Sequence, residues 1–155
     1  MRSGTRAVHR RRGGVRGGRA RRPAAPAATR WLGLPRRQLS LPAGHLDGGE
    51  DAVSGLVREL AEEVGIDVQP RDCRLVLTMH RAPEAPGDRE YVDLFFAVAR
   101  WVGEPVNAEP LKCSELLWVD PRNLPVDVVD YVAQALAAIA RGSTLELCGW
   151  TSPGR

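Results

Sequence analysis

Residues 44–66 read GHLDGGEDAVSGLVRELAEEVGI, and the order of polar and apolar side chains in them predicts a helix. From Asp51 to Val64 the apolar residues recur at steps of three and four, as they do on the buried face of an amphipathic helix. These residues are Ala52, Val53, Leu56, Val57, Leu60, Ala61 and Val64. We expect Gly65 to end the helix, because glycine is common just past a helix C-terminus.

Three carboxylates lie on one face of this predicted helix. Glu59, Glu62 and Glu63 stand at positions i, i+3 and i+4, which are neighbours on a helix surface. Like charges at this spacing repel one another, so the arrangement is unfavourable on a helix that binds nothing. Magnesium takes oxygen ligands and commonly bridges protein carboxylates to substrate phosphates. The face is therefore either a solvated acidic surface or a site for a divalent cation.

The residues around these carboxylates favour the cation site. They follow the pattern G-x5-E-x7-R-E-U-x-E-E-x-G-U, in which U is apolar, and residues 44–66 fill every position of it. This pattern is the Nudix box, and because of it the chain resembles the Nudix hydrolases. A weaker resemblance extends to about residue 150. The resemblance implies an α/β/α sandwich with a mixed sheet between helices. It also implies hydrolysis of a nucleoside diphosphate that is linked to another group.

The same resemblance assigns a divalent-metal site to the box. It implies that Glu59, Glu62 and Glu63 are metal ligands, together with the backbone carbonyl of Gly44. The expected cofactor is Mg²⁺, with Mn²⁺ as the alternative. Either Glu59 or Glu62 is expected to act on the water that attacks phosphorus, and the sequence leaves this choice open.

Other polar residues are expected either to support the box or to have one of two alternative roles. Glu50 is expected to be a supporting residue or an outer ligand, and Arg58 to orient a carboxylate through a bidentate bond. Glu115 is the candidate, by position, for the acidic residue outside the box that often completes catalysis in this family; the alternative is a surface glutamate. Lys112 either contacts substrate phosphate or is a solvated lysine. His45 follows the box glycine, but a loop histidine without a visible partner is usually not catalytic.

Three classes of function remain open at this point. The first is a metal-dependent enzyme that cleaves the pyrophosphate linkage of a nucleoside triphosphate or nucleotide sugar by water attack on phosphorus. The second is a module that binds a nucleotide without cleaving it, and the third is a frame-shifted product with impaired activity. No box glutamate is missing, which favours the enzyme. The expected partner is a small nucleotide, whose identity the box does not specify.

Charge divides the chain into a basic arm and an acidic domain. Residues 1–38 contain 12 of the 22 Lys and Arg residues and none of the 19 Asp and Glu residues. This composition predicts a disordered arm, which either contacts nucleic acid or stays solvated. We expect residues 39–150 to form the Nudix domain and residues 151–155 to fray. Because residues 1–30 contain no good strand pattern, we also consider a shifted reading frame and an open sheet edge.

The remaining elements are predicted from hydrophobic periodicity and from glycine and proline positions. Strands are expected at 39–42, at 74–80 with Leu75, Leu77 and Met79 on one face, and at 115–119. The apolar segment 91–101 is expected to be a central strand, covered by helices on both sides. A second amphipathic helix is expected at 126–139, and a last extended segment at 145–150.

Cysteine usage and hydropathy suggest a compartment. The three cysteines, Cys73, Cys113 and Cys148, are widely separated and show no metal-type spacing, which favours a reducing cytoplasm over a disulfide framework. No run of 18 apolar residues occurs, so no membrane contact is predicted. The sequence does not specify an oligomeric state.

Overall fold

A computed structural model describes the backbone of residues 2–9 and 27–31 and all atoms of residues 38–150. Within these residues the chain forms eight strands and two α-helices, with a short 3₁₀ turn at Pro70–Asp72. In chain order they are β1 (Arg2–His9), β2 (Ala27–Trp31), β3 (Leu39–Ser40), β4 (Ala43–His45), α1 (Ala52–Val64), β5 (Cys73–Arg81), β6 (Tyr91–Val98), β7 (Cys113–Trp118), α2 (Asp130–Ala140) and β8 (Leu145–Cys148).

The described strands form two sheets. The larger sheet has the order β4-β1-β6-β5-β8 and is mixed, because β1 runs parallel to β6 and β8 parallel to β5 while the other neighbours are antiparallel. The smaller sheet has the order β3-β2-β7 and is antiparallel. The mixed sheet predicted for the fold is therefore confirmed.

Two adjacent phenylalanines of β6 show how the larger sheet is covered. Successive side chains of a strand point to opposite faces. Phe95 is fully buried in a cluster with Val132 and Leu136 of α2, whereas Phe96 is buried in a cluster with Leu56 and Leu60 of α1. Helices thus lie on both faces, and both the predicted α/β/α sandwich and the doubly covered central strand are confirmed.

The ends of α1 follow from two residues of the predicted stretch. Asp51 is the N-cap, and its Oδ1 accepts hydrogen bonds from the backbone N–H groups of Val53 at 2.8 Å and Ser54 at 3.0 Å. Gly65 follows the last turn with φ of 68°, in the left-handed region that glycine adopts without steric cost. These two ends place the three box glutamates on the last two turns of the helix.

The prediction that Leu75, Leu77 and Met79 share one face of a strand is wrong for Leu75. A register shift between Leu75 and Leu77 places Leu75 opposite Phe96, while Leu77 lies opposite Phe95. The extra residue of a β-bulge moves the preceding side chain to the other face. Leu77 and Met79 are buried in the cluster under α2, whereas Leu75 is 49 % exposed.

The second helix begins later than its periodicity predicts. It was expected at 126–139, but α2 spans Asp130–Ala140. The preceding residues pair with β3 instead, because Leu39 N–H donates to Asp127 O and Val129 N–H donates to Leu39 O, both at 2.9 Å. Val128 is buried by this pairing, so an apolar residue that fitted the helical pattern belongs to the connection before the helix.

The expectation that residues 1–30 supply no strand, and leave an open sheet edge, is wrong for the described segments. β1 pairs with β6 along its whole length and with β4 on its other side, and β2 lies between β3 and β7. Strand preference depends strongly on sheet context, so a composition rich in arginine and glycine does not exclude a paired strand. The rest of the predicted arm up to residue 37, namely residues 1, 10–26 and 32–37, and the predicted tail at 151–155 lie outside the described residues.

Candidate active site

Strand β4 and helix α1 are in close contact at the box glycine. A Cβ atom built on Gly44 would overlap the carboxylate of Glu59. Only glycine at this position lets the Glu59 side chain lie against the strand backbone. The first and the middle parts of the box, which are 15 positions apart in the sequence, are therefore in direct contact.

Glu63 is the most enclosed of the box carboxylates. The residue is 5 % exposed, and its Oε2 accepts a hydrogen bond from the backbone N–H of Ala43 at 3.0 Å. Burial, and next the negative charges of Glu59 and Glu109, raise the pKa of Glu63 from 4.5 to about 8, although the bond from Ala43 acts in the opposite direction. A divalent cation beside this carboxylate would reverse the effect of burial and favour its charged form.

Arg58 connects the supporting glutamate to the other two carboxylates. Its guanidinium binds Glu50 in a bidentate manner, with Nη2 at 2.7 Å from Oε1 and Nε at 3.2 Å from Oε2. Its Nη1 donates to Glu59 Oε1 at 2.8 Å and to Glu62 Oε2 at 3.3 Å. Nη2 also donates to the carbonyl of His45 at 3.2 Å. The hydrogen bonds from Arg58 lower the pKa of Glu50, and the orienting role of Arg58 stays a prediction.

The loop before α1 is held close to the helix by Glu50 and Gly55. The backbone N–H of Asp47 donates to Glu50 Oε1 at 2.8 Å, which closes the loop. A Cβ atom on Gly55 would lie 2.7 Å from Leu46 Cδ2 and 3.1 Å from Glu50 Oε1. The glycine inside the helix is explained by this close approach, since a side chain there would press against Leu46 and Glu50.

The donor chemistry of the site fits a hard divalent cation, although the carboxylates do not converge in a ready-made metal site. Within residues 38–150, no three histidine, cysteine or acidic side chains form a group with metal-binding geometry. Arg58 binds one oxygen each of Glu59 and Glu62, and each of these carboxylates has a second oxygen that Arg58 does not contact. Buried Glu63 follows Glu62 directly and lies one turn after Glu59, so the local donors are the oxygens that Mg²⁺ prefers.

A loop outside the box also approaches the carboxylates. The backbone N–H of Ala108 donates to the carbonyl of Glu63 at 3.1 Å, and Glu109 and Lys112 lie close enough to influence the pKa of Glu63. The sequence interpretation missed Glu109. The available signal was an acidic residue three positions before Lys112, in a loop with two prolines. Glu115 lies on β7 opposite Arg30 of β2, and its catalytic role stays a prediction.

The family of the chain is decided by a match to the NUDIX domain over residues 16–139. The chain belongs to the NUDIX domain family. The predicted resemblance is thereby confirmed. As a NUDIX domain protein, it carries the complete box on the strand and helix described above. None of the helices that the structure describes is long and apolar enough to cross a membrane.

Similar proteins share this NUDIX fold. The chain is 30 % identical over 104 residues to the putative mutator protein MutT4 of Mycobacterium tuberculosis (strain CDC 1551 / Oshkosh). The aligned residues make up 65 % of this chain but only 40 % of that relative's length. A MutT NUDIX hydrolase from Burkholderia pseudomallei superposes with a TM-score of 0.70 at 24 % identity, covering 88 % of this chain and 95 % of that one. The NUDIX domain of Shewanella oneidensis NrtR, solved with ADP ribose, gives 0.66 at 14 % identity, covering 90 % and 85 %. At these identities the structural comparisons show the fold.

Proposed function

We propose that the chain is a divalent-metal-dependent hydrolase that cleaves the pyrophosphate linkage of a nucleoside diphosphate derivative by water attack on phosphorus. The observation that carries the proposal is the packing of the complete box, in which the Glu59 carboxylate lies against Gly44 and buried Glu63 lies one turn further along the same helix. Phosphoryl chemistry depends mainly on positioning and electrostatic stabilisation, and the helix and strand of the box position these charged groups.

The metal would be held by Glu59, Glu62 and Glu63 together with the carbonyl of Gly44. When bound, Mg²⁺ or Mn²⁺ supplies positive charge for the phosphates and lowers the pKa of a coordinated water. Arg58 holds Glu59 in place, and Ala43 fixes Glu63 through its N–H donor. These contacts hold Glu59 and Glu63 in position before the substrate arrives.

Glu62 is the carboxylate best placed to accept the proton of the attacking water. Its side chain is 53 % exposed, whereas Glu59 is 14 % exposed and lies between Gly44 and Arg58. A general base must reach the water that it deprotonates. Glu59 is the alternative base, and the further acidic residue outside the box is Glu115 by its sequence position or Glu109 by its place beside Glu63.

The substrate is a small nucleotide, either a nucleoside triphosphate or a nucleotide sugar such as ADP-ribose. Two solved structures with the same fold support a small nucleotide as the substrate. One is a MutT NUDIX hydrolase, and the other is a NUDIX domain complexed with ADP ribose. The proposed location is a reducing cytoplasm, on the wide and irregular spacing of the three cysteines in the sequence.

The test is a phosphate-release screen over nucleoside triphosphates and nucleotide sugars in Mg²⁺, in Mn²⁺ and in excess chelator. Added pyrophosphatase reveals pyrophosphate as a product. We expect release that depends on the metal, and that is lost in Glu62→Gln but retained in Glu84→Gln, an exposed glutamate on the β5–β6 connection. Nucleotide binding without hydrolysis of any substrate would instead show a binding module.

A further inference from the structure

The connection between β6 and β7 is fixed to the C-terminal end of α1. The backbone N–H of Val106 donates to Val64 O at 2.9 Å, and that of Ala108 donates to Glu63 O at 3.1 Å. Carbonyls in the last turn of a helix have no partner within the helix, so these two bonds satisfy groups that would otherwise need water. The connection is therefore positioned by the same helix turn that carries Glu63.

A tight turn then carries an ion pair to the edge of the carboxylate cluster. The N–H groups of Lys112 and Cys113 both donate to Glu109 O, at 3.0 and 2.8 Å, and the Asn107 side chain donates to Cys113 O at 2.7 Å. Within this turn Lys112 Nζ lies 2.6 Å from Glu109 Oε1. The Lys112 side chain is 64 % exposed, so its ammonium faces solvent at the rim of the site.

Lys112 is within electrostatic reach of the box. The carboxylate of Glu109, and more weakly those of Glu63 and Glu59, raise the pKa of Lys112. Arg58 differs from this lysine, because its Nε, Nη1 and Nη2 atoms all donate to protein oxygens of the box region. An ammonium has three N–H donors, and Glu109 takes one of those of Lys112. Of these two cations, Lys112 is the one whose geometry leaves donors for an incoming anion.

We infer that Lys112 binds a phosphate of the substrate and makes the site favour a terminal phosphate over a phosphodiester. This inference rests on the proposed function, because it requires the nucleotide to lie at the box carboxylates. A lysine ammonium is a compact point charge on a flexible stem, which suits phosphate binding. A terminal phosphate carries about −1.5 to −2 charge, whereas a phosphodiester carries about −1, so the same ammonium attracts it more strongly. Nucleoside triphosphates are then the preferred class, ahead of nucleotide sugars.

The experiment measures equilibrium binding of two probes that the enzyme does not hydrolyse. These are ATP with methylene groups in place of both oxygens that bridge its phosphates, and ADP-ribose with a methylene group in place of its single bridging oxygen, titrated calorimetrically in Mg²⁺ at 50 and 500 mM NaCl. Wild type is compared with Lys112→Gln, with Lys112→Arg and with Arg122→Gln. Arg122 is a matched control, since it is an exposed cation that pairs with Asp120 just two residues away.

At low salt we expect Lys112→Gln to weaken binding of the triphosphate analogue about tenfold and of the ADP-ribose analogue about threefold. Lys112→Arg should keep most of the affinity, and Arg122→Gln should change neither constant. The loss should shrink at 500 mM NaCl, because salt screens an exposed charge but not a packing contact.

The inference would be overturned if Lys112→Gln lost the same affinity for both probes, if its loss of affinity persisted at high salt, or if its binding were unchanged. Failure of the wild type to bind either probe would overturn it as well. A Lys112-dependent preference for the triphosphate analogue in a protein that hydrolyses no nucleotide would support the inference, while the proposed function would fail.

Discussion

Replacing Glu63 by glutamine should stabilise the protein in the absence of divalent metal at pH 8. Burial, and next the charge of Glu59, raise the pKa of Glu63 from 4.5 to about 8. Between these two values the folded protein holds a proton that the unfolded chain has released, so the stability falls as the pH rises through this window. At about 1.36 kcal/mol per pH unit, the difference between the two pKa values limits this loss in the free energy of unfolding to about 5 kcal/mol at most. Glutamine is neutral at every pH, and its amide oxygen can still accept the hydrogen bond from Ala43.

The assay is urea unfolding of wild type and Glu63→Gln in excess chelator at pH 5 and pH 8, with Glu84→Gln as the control. The free energy of unfolding of the wild type should fall between these pH values by at least about 1 kcal/mol more than that of Glu63→Gln. Adding Mg²⁺ at pH 8 should then stabilise the wild type more than the variant, because a ligand that binds the folded state raises its stability. A variant that is no more stable than wild type at pH 8 in chelator would refute the reasoning.

Three further predictions concern the neighbours of Glu63. Gly44→Ala should weaken Mg²⁺ binding, because the new methyl group displaces the Glu59 carboxylate from its place against β4; calorimetric Mg²⁺ titration measures the effect, and unchanged affinity would contradict the contact. Arg58→Lys should lower kcat/KM at least about tenfold in a folded protein, since lysine cannot form the bidentate bond to Glu50; full activity would show that charge alone is sufficient. Glu109→Gln should lower kcat more than Glu115→Gln if the acidic residue outside the box is the one beside Glu63, and steady-state kinetics with the opposite order would assign that role to Glu115.

Local patterns in the sequence were sufficient to predict the helix that carries the box. The three-and-four periodicity and Gly65 after the helix act within a few residues, and the observed helix follows them, whereas the sequence analysis did not assign the N-cap Asp51. The apolar character of residues 91–101 likewise indicated burial on both sides, which Phe95 and Phe96 show in the structure. Such features depend on side chains that are near in sequence.

Features that depend on distant partners were not predictable from one sequence. The bulge that turns Leu75 away from Leu77 is set by pairing with β6, and the late start of α2 is set by hydrogen bonds to Leu39. The strands β1 and β2 form in a segment of poor strand preference because neighbouring strands supply their partners. Glu109 was missed for the same reason, since only the folded connection brings it to Glu63.

The central claim is that the box carboxylates support water attack on a phosphate of a nucleotide. The most direct measurement is hydrolysis of a nucleoside triphosphate in ¹⁸O-labelled water by wild type and Glu62→Gln, with and without Mg²⁺. The account predicts Mg²⁺-dependent release with the label in a phosphate product, and a rate about 10²–10⁴-fold lower in the folded Glu62→Gln variant. Hydrolysis that continues undiminished in excess chelator, or in Glu62→Gln, would contradict the account.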